Sequence, residues 1–154
     1  MDVKLINPFV DAFLTVMPQL GFQEIKKQNV SLKGKNLKSQ GVMLNIGIVG
    51  DIKGNVVYCL DVEGAKKIAS TMMMGFPVSE LDDMAQSAIS ELSNMLTANA
   101  STNFAESGVN INISTPTLIF GNDFEAKMNT DKVICINILV DDIPIEINTA
   151  FEKL

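Results

Sequence analysis

Ser87-Ala88-Ile89-Ser90-Glu91-Leu92-Ser93-Asn94 lies inside an amphipathic run that extends from about Glu80 to Ala105. At roughly 100° per residue, Ser87, Glu91, Asn94, Ala98 and Ser101 share one helical stripe, while Ala85, Ile89, Leu92, Leu96 and Ala100 lie on another. The apolar stripe predicts a long helix resting on a core. The other stripe offers a carboxylate and a carboxamide one turn apart, framed by residues small enough for another molecule to come close. A helix with one apolar face must be covered by other elements, so the flanking sequence decides the architecture.

Upstream, Ser79 and Asp82 form a capping pair that starts this helix. Asp61 is placed to cap a shorter helix from Val62 to about Met74, stopped by Gly75 and Pro77. Its Met72-Met73-Met74 run resembles a soft-metal site only superficially. Three consecutive side chains on a helix diverge, and flexible core filling is the expectation. Further back, Val42–Val49 and Gly54–Leu60 flank Gly50-Asp51-Ile52-Lys53 and predict a hairpin. Its glycines lack the Lys-Ser/Thr of a phosphate-binding loop and read as turn and bulge positions. Phe22–Lys33 reads as a strand. Asn7-Pro8 reads as an N-cap and first-turn proline opening a helix toward Leu20, with Phe9, Phe13, Val16, Met17 and Leu20 inward. Downstream, Gly108 ends the long helix. Val109–Ile119, Phe124–Asn129, Val133–Val140 and Ile143–Ala150 then read as strands, with Pro116 breaking the first.

The resulting order is α-β-β-β-α-α-β-β-β, with three or four strands at the end. It predicts one α+β domain over residues 1–154, two layers deep, with a mainly antiparallel sheet carrying helices on one face. The apolar strand Val133–Leu139 is expected at an open edge, where it would pair with a second copy.

Absences narrow the function. The 154 residues include no histidine, and all twelve basic residues are lysines against eighteen acids, for a net charge of −6. Imidazole-based triads and the commonest metal ligand are gone. General nucleic-acid binding lacks its positive patch, Lys33, Lys35 and Lys38 being the one basic cluster. No apolar run reaches the length of a membrane span, and Met1-Asp2-Val3-Lys4 has no leader-like basic region, so a cytoplasmic location is expected. Cys59 and Cys135, in strand-like runs without CxxC spacing, read as ordinary buried thiols. Asp82-Asp83 and Asp141-Asp142 read as charge placement rather than ion ligands. Asn99 and Asn103 are expected to cap or brace the sheet.

The Ser87-x3-Glu91-x2-Asn94 pattern, with Pro116 following Asn94 after twenty-one intervening residues and the strand–helix–helix–strand setting, resembles the CheC/CheX/FliY family of bacterial chemotaxis phosphatases. That family carries an Asp/Ser-x3-Glu-x2-Asn signature on such a helix, followed by a proline. One copy of the motif is similar to the single-motif, homodimeric CheX branch rather than to two-motif CheC. The resemblance implies removal of the phosphoryl group from the aspartate of a phosphorylated CheY-type response regulator. It implies that Asn94 orients the attacking water and that Glu91 pairs with the regulator's phosphate-contacting lysine. Ser87, Ala98 and Ser101 would be contact positions. Mg²⁺ would belong to the regulator, with no cofactor of the chain's own and no metal site. Phosphoryl transfer asks mainly for a positioned nucleophile and neutralised charge, and an amide can hold water without adding negative charge.

Three rival readings stand beside this one. An exposed Glu-x2-Asn is commonly a solvated face of an amphipathic helix. The same fold could also serve as a non-enzymatic regulator-binding module or a switch-assembly domain.

Overall fold

The computed structural model describes residues 3–128 and 130–153. Met1, Asp2 and Leu154 lie outside them, as does Asn129, the end of the predicted strand Phe124–Asn129. After a short turn at Val3–Leu5 come helix α1 (Asn7–Gln19) and strands β1 (Ile25–Lys33), β2 (Asn36–Lys38), β3 (Gly41–Gly50) and β4 (Ile52–Asp61). Helices α2 (Val62–Met72) and α3 (Asp83–Glu106) follow. Strands β5 (Ile111–Ile113), β6 (Thr117–Gly121), β7 (Glu125–Lys127), β8 (Val133–Val140) and β9 (Ile143–Lys153) complete the chain.

The fold is α+β with an antiparallel sheet, as the order of elements predicts. Seven strands run β1-β8-β9-β4-β3-β5, with β6 also paired to β3. Alternation along the strands sorts their side chains. Leu44, Ile46, Val56, Tyr58, Ile136, Ile138, Ile145 and Ile147 face the three helices and join Phe9, Phe13, Ile68, Ile89, Leu92 and Phe104 in the main core. Each large side chain buried there contributes about 1.5–3 kcal/mol. The other face holds Met43, Val57, Cys59, Val133 and Ala150, partly covered by Leu37 and Met128. Leu37 belongs to β2, which the sequence pattern does not announce and which pairs with β7, inside the predicted strand Phe124–Asn129, in a two-stranded ribbon.

Several local expectations are corrected. Ile6, without a side-chain cap, precedes α1, and Asn7 is already helical. Asp82 alone caps α3, accepting from the Ala85 amide at 2.9 Å, and Ser79 takes no part. Val133–Val140 is no edge: it pairs with β1 on one side and β9 on the other, so this strand cannot receive a second copy. Its apolar composition reflects burial on both faces. Met74 is 94% exposed, not core filling, because the helix has already ended at Met72. Asn103 braces α1 rather than the sheet, donating to the Pro8 carbonyl at 3.0 Å. The hairpin turn is tighter than predicted, with Ile52 and Lys53 already in β4. Gly50 is required there. Its φ is +128°, and a Cβ would come within 2.5 Å of the Asn110 carbonyl.

Candidate functional site

Helix α3 is fixed at its start by the Asp82 cap and by Gln86, whose Nε2 donates to the Leu81 carbonyl at 2.7 Å. Ala85, Ile89, Leu92, Leu96, Ala100 and Phe104 are buried along it, which is the predicted apolar stripe. The polar stripe therefore turns away from the sheet. Ser87, Glu91 and Ala98 are exposed, and Asn94 and Ser101 are half-buried.

Ser87, Glu91 and Asn94 come together in an open groove of about 550 Å³, with Asp83, Gln86 and Ser90 beside them on α3. Thr115 and Pro116, from the connection between β5 and β6, and Leu118 of β6 complete its lining. Ala98 and Ser101 continue the stripe beyond it. Pro116 thus belongs to the groove, although helical periodicity says nothing about it. Gln86, Ser90, Thr115 and Leu118 were not singled out from the sequence. The first two flank the polar stripe, but residue type alone does not mark the others.

The second wall is bolted to the sheet through Ser114. Its amide donates to the Gly47 carbonyl at 2.9 Å, and its hydroxyl accepts from the Gly47 amide at 2.8 Å. The same hydroxyl donates to the Thr115 carbonyl at 3.1 Å. Position 47 has little room for more, since a Cβ there would lie 3.4 Å from the Ser114 Oγ.

Among the described residues, neither the Glu91 nor the Asn94 side chain has a hydrogen-bond or ion-pair partner. The groove contains two carboxylates, Asp83 and Glu91, and among the described residues no cationic one lines it. Its field favours a cationic group on a visitor. Ser87 and Ser90 have no base beside them to make either a nucleophile. An amide that can both donate and accept, next to a free carboxylate, suits orienting a water and pairing with a cation. Elsewhere, burial and the nearby Glu146 carboxylate push the Cys59 thiol up to about 12 and the Cys135 thiol up to about 11. Both stay protonated at neutral pH and make poor nucleophiles. No group of three acidic or thiol side chains among the described residues is arranged to hold a metal ion. No helix among them is long and apolar enough to cross a membrane.

This combination of antiparallel sheet, three helices and groove is the CheC-like α+β architecture. The chain superposes on a CheC-like superfamily protein from Shewanella sp. PV-4 with a TM-score of 0.87, at 27% identity and over 99% of each chain. It also shares the fold of a chain in the CheX–CheY–BeF3–Mg²⁺ complex from Borrelia burgdorferi, with a TM-score of 0.81, 24% identity and coverage of 96% and 97%. Residues 42–139 match the family model of chemotaxis phosphatase CheX. The CheY-P phosphatase CheX of Thermotoga maritima is 31% identical over 128 residues, 82% of either chain. The chain belongs to the CheX family of chemotaxis phosphatases.

Proposed function

We propose that this protein hydrolyses the aspartyl phosphate of a CheY-type response regulator, with the groove along α3 as its working surface. The single observation that carries this reading is that Glu91 and Asn94, unpartnered in the chain, stand together in a groove whose far side holds Pro116. Asn94 enters the regulator's phosphorylation site and holds a water in line with phosphorus, its carboxamide accepting and donating at once. Glu91 pairs with a cation of the regulator and fixes the approach of the helix. Ser87 lets the two backbones come close within the groove, while Ala98 and Ser101 extend the contact along the same stripe. The chain's contribution is positioning, which together with electrostatic stabilisation accounts for nearly all of the catalysis in phosphoryl transfer.

Mg²⁺ neutralises the phosphoryl oxygens and is carried by the regulator. The Borrelia complex, which contains CheX, CheY, BeF3 and Mg²⁺, supports that division of labour. The Thermotoga relative, a CheY-P phosphatase, supports the substrate class. A homodimer in the cytoplasm fits the family. The edge strand β1, which among the described residues pairs with β8 alone, is one place where two copies could meet.

The test is to add the protein to a regulator labelled on its aspartate, with Mg²⁺, and follow loss of label. Faster loss than the regulator's own decay is expected. Tight binding with an unaltered decay rate would instead establish a sequestering module and end the enzymatic reading.

A further inference from the structure

We propose that the buried hydroxyl pair Tyr58–Thr97 is the pin that sets the rotation and axial register of the α3 turn bearing Glu91 and Asn94, making both members positioning residues. The inference rests on the function proposed above and adds two residues to it.

Tyr58 lies in the middle of β4, paired with Leu44 on β3 and Ile147 on β9, in the part of the sheet least able to shift. Its ring leans on Phe13 at a centroid distance of 6.2 Å, and its hydroxyl lies 2.8 Å from the Thr97 Oγ1. Thr97 is fully buried, and its hydroxyl also contacts the Ser93 carbonyl at 2.8 Å. A threonine has one hydroxyl hydrogen. With that hydrogen given to Ser93, Thr97 accepts, and Tyr58 donates. Burial pushes the Tyr58 phenol far above its ordinary range, so the donor stays protonated at any working pH.

Among the described residues, this is the one hydrogen bond that joins α3 to the seven-stranded sheet. The remaining contacts are apolar, and apolar attraction is non-directional. They also leave slack. A void of about 20 Å³ lies beneath the same turn, lined by Tyr58, Leu92, Ser93 and Leu96. Packing alone therefore permits small slides and rotations of this segment, which a bond between two fixed hydroxyls forbids. Thr97 is one turn from Asn94 and two from Glu91. The pin also reaches that turn directly, because Ser93, whose carbonyl it engages, is bonded to Asn94 and itself donates to the Ser90 carbonyl at 2.7 Å.

The experiment compares the parent protein with Tyr58→Phe, Thr97→Val and the double variant on the phosphorylated regulator. Val133→Ala, on the far face of the sheet, controls for stability. Tyr58→Phe is expected to lower kcat about tenfold with KM within twofold, as for a misplaced reacting group. Adding Thr97→Val should cost little more, and Val133→Ala at matched thermal stability should keep kcat. A Tyr58→Phe kcat within twofold of the parent, while Asn94→Ala is inactive, overturns the pin and leaves the proposed function standing. So do losses that simply multiply in the double variant. If the parent itself gives no turnover, the proposed function fails instead, and the pin is then judged by amide exchange. Faster exchange at residues 90–98 in Tyr58→Phe, with α1 unaltered, supports it; unchanged exchange overturns it.

Discussion

Asn94 on α3 and Pro116 between β5 and β6 line one groove, although twenty-one residues separate them. The two walls have separate supports: α3 rests on the main core, while the 114–116 segment hangs from Gly47 of β3. The Asn94 side chain is half-buried yet has no hydrogen-bond partner among the described residues, so its removal should leave the fold intact. Asn94→Ala is therefore expected to keep the parent's melting temperature while kcat on phosphorylated regulator falls on the order of a hundredfold, as for a lost positioning group. Single-turnover loss of label measures it. A variant as fast as the parent would remove Asn94 from the mechanism.

Glu91 should behave differently. Its side chain is exposed and unpaired among the described residues, and the proposed role for it is in encounter and docking rather than in aiming the water. Glu91→Gln keeps the shape and removes the charge, so KM is expected to rise about five- to tenfold with kcat little altered. The parent's KM should climb with ionic strength, and that salt dependence should flatten in the variant. Titration of salt in both proteins checks this, and equal slopes would count against an ion pair at this position.

The sequence reveals some parts of this molecule more readily than others, for physical reasons. Periods of 3.6 and 2 mark burial, so α3 and the β3–β4 hairpin are legible from Ala85-Ile89-Leu92-Leu96 and from the alternation around Gly50. The polar stripe is legible too, as the complement of a buried one. Tertiary pairing is not. Val133–Val140 looks the same whether a neighbouring copy or β1 covers its edge, and only the topology puts it inside. The three-residue strand β2 is too short to carry a period, whereas its partner β7 falls within the strand read at Phe124–Asn129. The groove's second wall depends on the Ser114–Gly47 contact across sixty-seven positions, which no local pattern encodes. Resemblance to a family tied Pro116 to the motif in sequence, and the fold brings the two into one groove.

That contact supplies a test of the groove as a two-walled device. Ser114→Ala removes the acceptor for the Gly47 amide, and a lost hydrogen bond of this kind costs about 1 kcal/mol. Gly47→Val does more, since its branched side chain starts 3.4 Å from the Ser114 Oγ and must push the wall outward. Activity should fall in the order parent, Ser114→Ala, Gly47→Val, with kcat/KM in the last reduced about tenfold. Asn94 and Glu91 are untouched in both variants. If kcat/KM is the same in all three proteins, the segment 114–116 is not part of the working surface.

The thiols on the opposite face give a pH signature with a definite sign. Burial, reinforced by Glu146, raises Cys59 to about 12 and Cys135 to about 11 from the ordinary 9.0. The folded protein thus holds these protons at pH values where the unfolded chain releases them. Their contribution to stability is complete below pH 9 and is lost as pH rises through the folded values, by at most about 1.4 kcal/mol per pH unit for each thiol. Chemical denaturation between pH 8 and 11 should show that decline. Cys59→Ala should lessen it, and alkylation at pH 7.5 should modify neither thiol until denaturant unfolds the chain. Phosphatase activity at neutral pH should be indifferent to Cys59→Ala at matched stability, because the thiols lie behind the sheet from α3. A slowed enzyme would mean that the rear face communicates with the groove, for which β4, carrying both Tyr58 and Cys59, is the direct route.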